Sequence, residues 1–341
     1  MKIAITADPS IPVPPIHYGG IERIIYMLIE ELVARGHELI LFAHKDSKVP
    51  CKLIAYTGEG QSYLNMINNT RLITYSLIKE KPDVIHSFGR LAYLTFLLPF
   101  PIKKIMSYQR EPTLSQIITA LRFSKKGSLI FTGCSEYIAA KIRHLAPSFA
   151  IHNFVDIKKY DFNEHVDDNA PLVFLGRIEH IKGAHIAIEI AIKSGKNLIV
   201  AGNIPLEEIH LKYFENEIKP HINNATIKYI GPVNDVQKNQ ILGSACAFLM
   251  PVLWNEPFGI VMAEALACGT PVLGFPSGAI PEVIRNGENG FLCDTKEELL
   301  EAIQKLSNQM RKNARKDAQN RFDVQYITDQ YIELYNYKIY K

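Results

Sequence analysis

The chain has 341 residues, 47% of them hydrophobic and 21% charged, which fits a soluble globular protein with a sizeable core and the length of two ordinary domains. The formal charge is only +3, but it is unevenly spread: residues 1–150 carry 18 Lys+Arg against 11 Asp+Glu, and the remainder carries 20 against 24. The basic first half suits a phosphorylated acceptor or an anionic membrane surface. No motif for nucleic acid is present. The five cysteines are odd in number, lack CxxC or other metal spacing and sit largely in apolar runs, so buried thiols in a reducing cytoplasm are expected. The most apolar stretch, Leu91 to Ile102, has 12 residues, too few for a bilayer span of roughly 20. Met1-Lys-Ile-Ala-Ile-Thr reads as a strand and not as a signal peptide.

In chain order, Lys2–Ala7 reads as a strand, Asp8–Tyr18 as a Pro-rich loop and Ile21–Arg35 as an amphipathic helix entered through Gly19-Gly20. Gly36 ends it, and Glu38–Ala43 is the next strand. Further strands fall at Val84–His86, Lys104–Tyr108 and Leu129–Cys134, with helices between them. Strand–helix–strand units with apolar strands imply a parallel, doubly wound sheet. Lys158–Pro171 is charged and reads as a linker. The pattern then restarts with strands at Leu172–Gly176, Asn197–Ala201, Thr226–Ile230 and Ala247–Met250, separated by helices near 184–194, 206–218 and 235–244. The chain is thus read as α/β, with two doubly wound Rossmann-like domains. An aromatic-rich helix over 324–337 closes it.

Two segments of the second half carry chemistry. Leu175-Gly-Arg-Ile-Glu-His-Ile-Lys-Gly183 places Arg177 and Lys182 between a strand end and a helix start, where two cations can neutralise a diphosphate. Glu256-Pro-Phe-Gly-Ile-Val-Met-Ala-Glu264 sets two carboxylates eight residues apart, one at a helix mouth and one about two turns in. Pro257 and Gly259 start that helix and Gly269 stops it. Helix N–H groups donate to an anion while carboxylates accept from sugar hydroxyls, so the stretch suits a ligand with both.

This stretch, with Leu266-Ala-Cys-Gly-Thr-Pro-Val272 behind it, resembles the E-x7-E signature of the retaining nucleotide-sugar glycosyltransferases of family 4, which have the GT-B fold. Gly176, Arg177, Lys182 and Gly183 match that family's G-R-x4-K-G pattern. The resemblance implies two Rossmann-like domains facing each other across a cleft: an acceptor domain over 1–157, a nucleotide-sugar domain over 158–323, and a helix over 324–341 crossing back to the first. It implies that Arg177 and Lys182 bind the donor diphosphate, that Glu264 takes the ribose hydroxyls, that Glu256 lies against the donor sugar, and that the amides of Phe258, Gly259 and Ile260 face sugar and phosphate. Gly231 and Val233, in Tyr229-Ile-Gly-Pro-Val233, fall where the family cradles the nucleobase. Gly19 and Gly20 match its glycine pair on the donor side, with Tyr18 beside the acceptor. His86, in Val84-Ile-His-Ser-Phe-Gly89, falls where the family often has a histidine close to the transferred sugar. The catalytic set implied is therefore His86, Glu256, Arg177 and Lys182. Arg110 and Glu111 are acceptor candidates where relatives often carry His. Ser135 matches a family serine and also suits a helix cap.

The activity implied is transfer of a sugar from a nucleotide-diphosphate sugar, as co-substrate, to a hydroxyl of a glycan, lipid-linked or small-molecule acceptor, with no metal ion or other cofactor. Retaining glycosidases use a carboxylate nucleophile. No residue here is obviously that group, and the family is usually described as reacting on one face, with the leaving phosphate helping to deprotonate the acceptor. The alternatives are an epimerase of the same fold and a non-catalytic nucleotide-sugar-binding protein. The apolar run ending in Phe100-Pro-Ile-Lys-Lys104, with Arg122, Lys125 and Lys126 after it, marks a candidate for peripheral membrane contact.

Overall fold

The computed structural model describes residues 1–16, 19–60 and 62–337; the acceptor candidate Tyr18 lies outside them. Among the described residues the strands form two parallel sheets, each in its own compact unit. The first unit comprises Met1–Phe154 and the helix Val324–Asn336. Its strands are β1 (Lys2–Thr6), β2 (Glu38–Ala43), β3 (Lys52–Ala55), β4 (Val84–Ser87), β5 (Lys103–Tyr108), β6 (Leu129–Gly133) and β7 (Ser148–Ala150), in the order β3-β2-β1-β4-β5-β6-β7. The crossovers use α1 (Gly20–Ala34), α2 (Tyr63–Glu80), a 3₁₀ segment (Leu91–Leu97), α3 (Leu114–Phe123) and α4 (Glu136–Arg143). Runs such as Ile3-Ala4-Ile5 are buried at every position, as expected of strands covered on both faces.

The second unit is Val155–Asp323. It holds β8 (Leu172–Leu175), β9 (Leu198–Ala201), β10 (Ile227–Tyr229), β11 (Ala247–Met250), β12 (Val272–Gly274) and β13 (Gly290–Leu292), in the order β10-β9-β8-β11-β12-β13. Around them lie α5 (Ala184–Ser194), α6 (Glu208–Tyr213) continued by a π-helical turn (Phe214–Ile218), α7 (Asp235–Ser244), α8 (Ile260–Ala267), α9 (Ile280–Val283), α10 (Lys296–Gln304) and α11 (Asn308–Arg321). The strand order reverses between β8 and β11, so the loops leaving their carboxyl ends meet at the switch point, where such sheets bind ligands.

The charged stretch 158–171 is not a linker. It belongs to the second unit, with the Asp161 N–H donating to Asn239 at 3.0 Å and the Tyr160 hydroxyl donating to Glu264 at 2.9 Å. Most of its residues are exposed, as a polar stretch predicts, but these bonds fasten it to the unit. The strands β3, β7 and β13, unread in the sequence, are all at sheet edges, where a short segment such as Ser148-Phe-Ala150 needs no long apolar run.

The last helix, α12 (Val324–Asn336), packs on α1 and is tied to the first unit by charge. Arg35 pairs with Asp329 and donates to the Gln325 carbonyl, and the Lys103 ammonium donates to the carbonyls of Leu334, Tyr335 and Tyr337 at the helix end. Lysine at a helix C-terminus satisfies orphan carbonyls and complements the dipole. Lys104 is fully buried and donates to the carbonyls of Phe100 and Ile102. Neither lysine therefore adds to a basic surface, against the sequence expectation for this segment.

His86 is also placed otherwise than expected. It does not open onto a surface: its exposure is 0%, its Nδ1 lies 2.8 Å from the Tyr335 hydroxyl and its Nε2 lies 2.6 Å from Ser107 Oγ. Tyr331 and Phe88 close around the ring. The reason is that β4 presents His86 to the face that α12 covers, which no local pattern discloses. Burial pushes its imidazole down to about 3, so it is neutral in the folded chain. The unfolded chain binds the proton more readily, so this group's share of stability is complete above an ordinary histidine pKa of about 6.5 and is lost as pH falls from there towards 3. The urea midpoint of the wild type should accordingly fall between about pH 7 and about pH 5, and His86→Gln should flatten that fall; equal slopes in both proteins would show that the histidine is not buried neutral.

Candidate active site

The loops after β8 and β11 are joined by an ion pair. Lys182 lies in the 3₁₀ turn His180–Lys182, and Glu256 stands just ahead of α8. The Lys182 ammonium donates to Glu256 Oε2 at 2.7 Å, and the Trp254 indole N–H donates to the same oxygen at 2.9 Å. Lys182 also sits 4.5 Å from the centre of the Trp254 ring, a cation–π contact. Glu256 is 7% exposed and the Lys182 side chain 16%, so the pair is shielded from solvent screening. Backbone contacts hold the same loops together: the Leu253 N–H donates to the Ile181 carbonyl at 2.8 Å. At Gly183, with φ +78°, a Cβ would stand 2.0 Å from the Pro251 carbonyl oxygen, so only glycine permits the approach.

A third loop, after β12, clamps the carboxylate's backbone. The Ala279 N–H donates to the Glu256 carbonyl at 2.8 Å, and Ser277 Oγ donates to the Trp254 carbonyl at 2.9 Å. Gly278 has φ +62°, and a Cβ there would lie 2.4 Å from the Glu256 carbonyl oxygen.

Glu264, buried inside α8, has partners of its own. Its Oε1 accepts from the Tyr160 hydroxyl at 2.9 Å and from the Lys238 ammonium of α7. Burial, then the Glu264 charge, pushes the Tyr160 phenol well above its ordinary pKa. The two glutamates are thus each held by a separate lysine. Arg177 reaches Glu179 Oε1 at 2.8 Å and is 38% exposed, whereas Glu179 is buried. Gly259 is the N-cap of α8 and Ile260 its first residue. The Phe258 ring is buried, edge-to-face with Phe322 at 5.7 Å, so this residue can offer a ligand only its backbone. Gly231 follows β10, its carbonyl accepting from the Gly202 N–H at 2.9 Å, and Val233 is half-buried nearby in sequence.

In the first unit, Gly19 is the N-cap of α1 and Gly20 its first residue. Glu22, in that first turn, is buried, which raises its carboxyl pKa. Arg110 is exposed just after β5, with no ion pair or hydrogen bond among the described residues. Glu111 accepts from the Tyr137 hydroxyl and the Lys141 ammonium, both at 2.8 Å. Ser135 caps α4, accepting from the Ile138 N–H at 3.2 Å.

Trp254, Gly278, Lys238, Tyr160 and Glu179 escaped the sequence reading. Trp254 carried one signal, as the only tryptophan of the chain two residues before Glu256. The others lie on separate elements and had none. Gly278→Ala should lower stability by about 1–3 kcal/mol and shift the Trp254 emission, because the new methyl must push Glu256 and its neighbours aside. Unchanged melting and emission would refute the clamp.

Residues 156–321 match the family described as glycosyl transferases group 1, and residues 18–159 match glycosyltransferase family 4. The chain is 40% identical to the N-acetyl-alpha-D-glucosaminyl L-malate synthase of Bacillus anthracis, over 98% of this chain and 96% of the relative. The structure resembles that of a glycosyltransferase from Rickettsia africae, with a TM-score of 0.80, 16% identity and 98% and 97% of the two chains covered. It also resembles the Anabaena protein HepE solved with UDP and glucose, with a TM-score of 0.75, 20% identity and 98% and 99% covered. A paired Glu256 and Glu264 around α8, a two-sheet architecture shared with GT-B enzymes and a full-length relative at 40% identity agree: the chain belongs to the group 1, family 4 glycosyltransferases and has the GT-B fold.

Proposed function

We propose that this glycosyltransferase moves a sugar from a nucleoside-diphosphate sugar to an acceptor hydroxyl with retention of configuration. The observation that carries this reading is the buried Lys182–Glu256 pair at the mouth of α8, with Arg177 on the same β8 loop. As the sugar–phosphate bond breaks, charge grows on the leaving diphosphate. Arg177, Lys182 and the N–H groups of Gly259 and Ile260 supply positive potential there in advance, without calling on a metal ion. Lys182 is held by Glu256. A diphosphate that draws the ammonium away leaves Glu256 to accept hydroxyls of the donor sugar. Glu264, oriented by Tyr160 and Lys238, takes the ribose hydroxyls, and Gly231 and Val233 flank the base. His86, sealed in the core, takes no part in the bond exchange.

Arg110 presents a cation with no partner among the described residues and fits an anionic acceptor, while the adjoining Glu111 is paired with Lys141. The relative from Bacillus anthracis is named for an α-linked glucosaminyl group and L-malate, and retention from an α-linked donor gives that anomer. Structures of the Anabaena protein hold UDP and UDP-glucose. Uridine nucleotides and hydroxy acids are therefore the first pairs to try. A thermal-shift panel of UDP, GDP, ADP, CMP and dTDP sugars should show one base family raising Tm, with the shift lost in Arg177→Ala and Glu264→Gln, and NMR of the product should show the donor's anomeric configuration. No shift at millimolar nucleotide, or an inverted product, would refute the reading.

The same proposal includes peripheral contact with anionic membrane. No described helix is long and apolar enough to cross a bilayer. Phe96, Phe100 and Phe123 are about half or more exposed, and Arg122, Lys125 and Lys126 adjoin them in sequence. Wild type should co-sediment with anionic vesicles at low salt and Phe123→Ser should do so less; equal recovery from neutral vesicles would exclude this surface.

A further inference from the structure

Apart from the transfer machinery, the second unit gathers a different set of ligand-type side chains. His180 leaves the 3₁₀ turn after β8 and His185 lies in the first turn of α5, with their rings stacked at 4.7 Å and 19°. Glu217 comes from the π-helical turn that extends α6. One ligand atom from each of the three lies within 4.8 Å of the others. His180 and Glu217 border a cavity of about 440 Å³, which Glu179, His210 and Tyr213 also line.

Two further observations point to a cation. The first is Glu179, buried to 5% exposure: its Oε1 pairs with Arg177, but its Oε2 has no hydrogen-bond partner among the described residues, and the residue lines the same cavity. A buried carboxylate oxygen without a donor is costly and calls for a cation or water beside it. The second is the setting of His185. The Tyr213 hydroxyl stands 2.8 Å from its Nδ1 and also accepts from the His185 backbone N–H at 3.1 Å. A partner on Nδ1 holds the ring in place, as outer-shell groups do for metal-bound histidines, and leaves Nε2 as the nitrogen open to a ligand.

We propose that His180, His185 and Glu217 bind a divalent transition-metal ion, with Zn²⁺ the best match, beside the carboxylate of Glu179. Two imidazoles and one carboxylate suit Zn²⁺ and disfavour Mg²⁺ or Ca²⁺, which take oxygen shells. A tetrahedral ion with bonds of about 2.1 Å sets its ligand atoms roughly 3.4 Å apart, so the cluster must close somewhat on binding. His180 and Glu217 are exposed side chains with the freedom to do so. The ion would tie the turn carrying Lys182 to α5 and α6, a restraint on the donor loop separate from Arg177 and Lys182 themselves.

The test is calorimetric titration of the tag-free, EDTA-treated full chain with Zn²⁺. Wild type should take up a single equivalent. His180→Ala and Glu217→Gln, both surface changes, should each weaken binding by at least about 10-fold, and Tyr213→Phe should weaken it similarly through the orientation of His185. Circular dichroism melts of the metal-free proteins show whether each variant is folded. Failure of the wild type to bind stoichiometric Zn²⁺, or binding by either folded surface variant that equals wild type, overturns the site. The titration contains no sugar nucleotide, so its outcome is independent of the transfer reaction.

Discussion

The ion pair between Lys182 and Glu256 organises the second unit around its switch point. β8 and β11 lie side by side, so the loops that leave them must run close together, and both carry polar residues that cannot be left unpaired in a shielded place. The pair solves that problem, and Trp254 reinforces it twice, by its indole N–H on Glu256 and by its ring under Lys182. Backbone geometry makes the contact obligatory: Gly183 brings the first loop against Pro251, and Gly278 lets a third loop close over Glu256. The backbone that carries Lys182 and Glu256 is therefore fixed by close approaches between neighbouring loops.

A second organising device is the separation of the two glutamates. A motif with two carboxylates eight residues apart would place uncompensated negative charge around one short helix. Here each carboxylate has its own cation, Lys182 from the β8 loop and Lys238 from α7. The region around α8 stays close to neutral while each acid keeps a distinct set of neighbours. Glu264 is held by Tyr160 as well as Lys238, and Glu256 by Trp254 as well as Lys182.

In the first unit the decisive element is the terminal helix. α12 belongs to it although the second unit intervenes in the chain, and Arg35, Lys103 and His86 all bond to it. Its presence turns an apparent strand-end histidine into a buried core residue, and the carbonyls at its end take up Lys103. What remains outward there is Arg110 and the exposed aromatics near it in sequence.

The amino-acid sequence by itself determined the class of fold. Apolar strands alternating with helices, broken and restarted near the middle, can be buried only as two parallel sheets, and the central strands were placed to within a residue or two because both of their faces are apolar. It also determined the donor-side motifs, since Gly183, Glu256, Gly259 and Glu264 answer to local backbone geometry and spacing. Only the tertiary structure decided the rest. Edge strands carry too short an apolar run to be read, and the stretch 158–171, polar and mostly exposed, is nonetheless bonded to Asn239 and Glu264. The partners Lys238, Tyr160, Trp254 and Gly278, the burial of His86, and the meeting of His180, His185 and Glu217 all depend on contacts between elements far apart in the chain or on which face a neighbour covers. Local pattern records the periodicity of a segment, but not the identity of what packs against it, and these residues are defined by what packs against them.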